Sequence, residues 1–187
     1  MKKLLCILCA LLLACSLSAC GNNAPPEPPE EQVPAISLDE YNTMVSDFNT
    51  RLMEESVLLA NAGMYEYNYW KAYSGLSTYG DLDYQGMAEK AMEWLSENAE
   101  ADTGTVEAAH DELIAACIAI DDANVDGEIP EDLPDLVVAL FGAYDALHTL
   151  VTEPSGEIED FVLQLKDHTD AITELNENIS SLTEAGE

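Results

Sequence analysis

The chain has 187 residues, of which 37 are Asp or Glu and 6 are Lys or Arg, giving a formal net charge of −31 at pH 7. A surface this acidic repels phosphate backbones and anionic headgroups, which excludes nucleic acid as a partner and opposes adsorption to an anionic bilayer. It favours solubility and draws cations in.

In chain order, Lys2 and Lys3 precede an apolar run from Leu4 to Leu17. A spanning helix needs about 20 apolar residues, so this run reads as an export signal rather than a membrane segment. Leu17-Ser18-Ala19-Cys20, with the small Gly21 next to it, resembles the lipobox of bacterial lipoproteins. The resemblance covers only the signal and its junction. It implies that residues 1–19 are a signal peptide, that Cys20 carries lipid, and that the mature chain sits on the extracytoplasmic face of the cell membrane. A single acyl chain binds a bilayer marginally, whereas two hold firmly. Removal of Lys2 and Lys3 with the signal would take the net charge from −31 to −33. Cys6, Cys9 and Cys15 would leave as well, so Cys117 would be the one thiol without lipid and no internal disulfide could form. Set among Ile114, Ala116, Ile118 and Ile120, Cys117 is expected to be buried and inert.

Residues 20–35 comprise the lipidated cysteine and a linker holding Pro25, Pro26, Pro28, Pro29 and Pro34. Such a linker is disordered but extended, at roughly 3 Å per residue, and would lift the folded part off the headgroups. Residues 36–187 are long enough for one domain with its own core.

Helical periodicity runs through that domain. Leu38, Tyr41, Val45, Phe48, Leu52 and Leu59 share one face of a first helix that extends towards Tyr73, with Gly63 as a candidate kink. A second helix is predicted from Tyr84 to Ala99 around Met87, Ala91 and Leu95. A third spans Thr105 to Ala123 around Val106, Ala109, Leu113, Cys117 and Ile120, and a fourth Leu133 to Val151 around Val137, Leu140, Tyr144 and Leu147. After Pro154, with Ser155 as its cap, a last helix carries the heptad-like seam Ile158, Phe161, Leu165, His168, Ile172, Leu175, Ile179 and Leu182. No stretch alternates as a half-buried strand would, and no run beyond the signal is long enough for a second membrane segment. The expected fold is all-α, an antiparallel up-and-down bundle of four to five helices after the linker.

Two places suggest ligands. Asp122, Asn124, Asp126 and Glu128, with Gly127 and Ile129, resemble the first part of an EF-hand calcium loop, in which oxygen atoms at alternate positions wrap a hard cation. Leu133 stands where that loop places its bidentate glutamate, and Pro130 and Pro134 disturb its second helix. Calcium is the one cofactor the sequence raises. Tyr65, Tyr69 and Tyr73 stand four apart with Trp70 beside them, a half-wet aromatic face suited to a glycan, a peptide or a partner protein.

Glu107-x-x-His110 and Asp145-x-x-His148 have the spacing of di-iron ligand pairs, but the apolar seams supply no further inward glutamates, so they read as coincidence. No nucleophile elbow, phosphate loop or HExxH motif is present. The expectation is a lipid-anchored, non-catalytic binding, scaffolding or accessory module of the cell envelope. A calcium-binding or glycan- or peptide-binding lipoprotein is the alternative.

Overall fold

The computed structural model describes residues 34–73 and 84–184; the expected signal, Cys20 and almost the whole expected linker lie outside them. Among the described residues the order is β1 (Ile36–Ser37), α1 (Leu38–Tyr73), α2 (Tyr84–Ala99), α3 (Thr103–Asp121), β2 (Val125–Asp126), α4 (Leu133–Thr152) and α5 (Ile158–Glu184). The domain is an all-α bundle.

Sequence-local chemistry sets the helix ends. Ser37 and Glu40 form a reciprocal capping box at the start of α1. The Ser37 backbone N–H donates to Glu40 Oε2 at 2.8 Å, and the Glu40 N–H donates to Ser37 Oγ at 3.2 Å. Asp102 caps α3 by accepting from the Thr105 N–H at 2.8 Å, so that helix begins two residues before the predicted Thr105. Pro134 sits in the first turn of α4, where its missing N–H has no helical partner to lose.

The predicted seams are the observed core. Tyr41, Val45, Phe48, Leu52 and Leu59 of α1 meet Leu113, Cys117 and Ile120 of α3, Leu140, Tyr144 and Leu147 of α4, and Phe161, Leu165, Ile172 and Ile179 of α5 in one cluster. α1 touches all four other helices, and α4 with α5 is the most extensive pair. α5 runs antiparallel to α1: Leu165 lies against Gly63, whereas Ile179 and Thr183 face Val45 and Asn49.

Three expectations change. Helix α1 is continuous through Gly63, and the glycine is needed for space: a Cβ there would lie 2.9 Å from Leu165 Cδ1 and 3.1 Å from Val151 Cγ2. A strand pair is present, with Ile36 opposite Val125 and Ser37 opposite Asp126 in parallel register. Finally, α4 is by length and composition apolar enough to cross a membrane. In the bundle it is the core helix, burying Leu133, Val137, Leu140, Tyr144, Leu147, Leu150 and Val151.

Candidate functional site, a cleft between three helices

The predicted calcium loop connects α3 to α4 and pairs with the start of the domain. Asp122 is the C-cap of α3, Asn124 O accepts from the Ile36 N–H at 2.8 Å, and Asp126 lies in β2. Gly127, with φ +154°, turns the chain beside Leu38. Asp122, Asp126 and Glu128 are all exposed and do not converge. Among the described residues no three His, Cys, Asp or Glu side chains come together to hold a metal.

The aromatic face is partly covered. Tyr65 is exposed and its ring lies 6.4 Å from that of Tyr69, but Tyr69 and Trp70 are half-buried. Lys90 of α2 stands 5.2 Å over the Tyr69 ring and is itself paired with Glu93. Lys71 lies 5.5 Å over Tyr67 on another face. The side chain of Tyr73 and all of Cys20 fall outside the described residues.

A different constellation emerges where α3 and α4 pack together. In each of Glu107-x-x-His110 and Asp145-x-x-His148 the three-residue step places carboxylate and imidazole on one helical face. Packing crosses the two pairs. His110 Nε2 lies 2.9 Å from Asp145 Oδ1, and the His110 ring stacks on the His148 ring with centroids 4.2 Å apart and planes 14° apart. Tyr144 and Phe141 flank His110, each with its ring centroid 5.9 Å away.

His148 Nε2 is closed off from solvent and makes no hydrogen bond. Burial, reinforced by His110 and opposed by Asp145, lowers the His148 pKa to about 4, so its imidazole is neutral at physiological pH. Burial likewise pushes the Tyr144 phenol upward, and its hydroxyl has no partner.

His148 also forms part of the wall of a cavity of about 390 Å³ between α2, α3 and α4. Ala88, Met92 and Val106 make an apolar floor, Glu89, Glu107 and Glu153 supply three carboxyl groups, and Thr103 and Thr152 supply hydroxyls. No Lys or Arg belongs to this lining. The arrangement suits an organic cation with an apolar body, because the acids attract its charge and the neutral imidazole adds no repulsion.

It does not suit nucleophilic catalysis. The Thr152 hydroxyl donates to His148 O at 2.8 Å, and Cys117 is buried elsewhere, its thiol pushed up by burial and by Asp121. The sequence contained both Glu/Asp-x-x-His pairs. What it could not show was that helix packing joins them to each other and to α2. The chain matches no family model, no curated protein and no solved structure in comparisons with known proteins.

Proposed function

We propose that this chain is a lipid-anchored, extracytoplasmic binding module of the cell envelope that takes an organic cation, an ammonium or guanidinium group on an apolar stem, into the α2–α3–α4 cleft. The cleft carries the proposal: its lining combines three carboxyl groups with an apolar floor and holds no Lys or Arg. The strongly negative overall charge, −31 for the full sequence, would concentrate such a ligand near the surface and speed its encounter. The lipobox-like Leu17-Ser18-Ala19-Cys20 and the proline-rich linker support the anchored location.

Two experiments test the two halves separately. Titration of the full chain with butylguanidinium, butylammonium and uncharged butanol should give saturable heat for the two cations only. Glu107→Gln should weaken their binding about tenfold, the worth of one charge-assisted contact of about 1.4 kcal/mol. Equal binding of butanol, or no effect of Glu107→Gln, would remove the cation reading. For the anchor, cells fed a tagged fatty acid should label the wild type and not Cys20→Ala; label on both would place the lipid elsewhere.

A further inference from the structure

A second cavity, of about 410 Å³, lies between the N-terminal half of α1 and the C-terminal half of α5. Its lining differs in kind from the acidic cleft. Ser46, Asn49 and Thr50 of α1 face Asn176, Ser180 and Thr183 of α5, over an apolar floor of Val45, Met53 and Ile179. Glu54 is the one charged residue of the lining.

Helical spacing explains the geometry. Asn176, Ser180 and Thr183 recur at steps of four and three and so form one stripe, and Ser46, Asn49 and Thr50 form another on the antiparallel neighbour. A bundle optimised for packing alone would carry apolar side chains at such facing positions.

Asn49 is the informative residue. It is 6% exposed, yet its Oδ1 is buried without a hydrogen-bond partner. Buried amide oxygens are nearly always paired with protein or with an ordered molecule. The single Thr183 hydroxyl proton is within reach of two acceptors in its own helix, Ile179 O and Ser180 O. Among the described residues, no hydrogen bond within the protein engages the side chains of Asn49, Asn176 or Ser180.

We propose that this cleft is a binding site for a neutral polyhydroxylated ligand, a saccharide. Hydroxyl and amide side chains each donate and accept, as sugar hydroxyls do, and Met53, half-buried above the buried Val45 and Ile179, offers an apolar surface to the C–H face of a sugar ring. The lack of Lys and Arg in the lining disfavours an anion, and a single carboxyl group gives a cation far less than the three of the other cleft. The volume falls within the range of small-ligand sites, roughly 300–1,000 Å³. The site is independent of the cation cleft and stands if that reading fails.

The test is amide chemical-shift mapping on the isotope-labelled full chain with glucose, N-acetylglucosamine and maltose, with glucuronate and triglycine as contrasts. A neutral sugar should shift the amides of Asn49, Asn176 and Ser180 saturably in the millimolar range, glucuronate at least tenfold more weakly. Asn49→Leu, which replaces the amide by an apolar group of similar size, and Ser180→Ala should each weaken the response several-fold, while Glu107→Gln should not. No saturable shift, as when water alone fills the cleft, overturns the proposal. So does a stronger response to triglycine, or undiminished sugar binding in Ser180→Ala, which decides the matter if Asn49→Leu does not fold.

Discussion

Two buried ionisable side chains give the domain opposite responses to pH. Glu66 is 1% exposed, neither carboxyl oxygen has a hydrogen-bond partner, and burial alone raises its pKa to about 8. The folded state therefore keeps a proton that the unfolded chain releases near 4.5. Its contribution to stability is complete below pH 4.5 and is lost as pH rises towards 8, up to about 5 kcal/mol in all. Glu66→Gln should leave the denaturant midpoint nearly unchanged at pH 4.5 and raise it clearly at pH 9. Equal pH dependence in variant and wild type would show that Glu66 has a partner or water in solution. His148 works on the other side. Its folded pKa of about 4 lies below the ordinary value of 6.5, so its contribution to stability is complete above 6.5 and is lost as pH falls towards 4. His148→Gln should flatten that acid limb, as followed by chemical denaturation between pH 7 and 4. The sequence marked His148 only by its spacing from Asp145, and the burial of neither group was legible in it. Glu66 sits in a tyrosine-rich stretch, and nothing about its own type or spacing says that neighbours from other helices will close over it.

At the scale of elements, the periodic seams did most of the predicting. The buried positions of the last helix, Phe161, Leu165, Ile172 and Ile179, fall on the heptad-like seam because a three- and four-residue repeat admits only one face to the core. The ends were less legible. Ser37-x-x-Glu40 has the form of a capping box and could have located the start of α1, whereas the pairing of β1 with β2 joins segments about ninety residues apart that no local pattern connects. Gly63 could be seen as an exception in a helix, but only the approach of Leu165 and Val151 shows that space is the reason. Gly63→Leu should accordingly destabilise the bundle by about 1–3 kcal/mol, measured by thermal unfolding, through overpacking against those two side chains. Glu100 presents the reverse case. It holds φ +54° in the turn from α2 to α3, where a side chain is strained, and the Ala101 N–H reaches Leu95 O across it. Glu100→Gly should gain about 0.5–1 kcal/mol, seen as a rise of a few degrees in the melting midpoint, despite the greater freedom of glycine in the unfolded chain.

For the whole molecule, the dominant electrostatic fact is the imbalance of 37 acids against 6 bases. Among the described residues the Lys and Arg side chains are already engaged: Arg51 with Glu112, Lys90 with Glu93, Lys166 with Asp170, and Lys71 over Tyr67. Exposed pairs of this kind contribute little to stability and are themselves weakened by salt. The remaining carboxylates repel one another across a folded surface more closely than in an extended chain, and that repulsion is screened over about 10 Å at 0.1 M salt. Salt thus acts on a few weak attractions and on many repulsions, so the second effect should win. Raising sodium chloride from about 0.02 to 0.5 M should increase the melting midpoint, and potassium chloride should act equally, since screening is not ion-specific. A fall in the midpoint would mean that the few ion pairs outweigh the acidic surface. A rise confined to one salt would point to a bound ion rather than to screening.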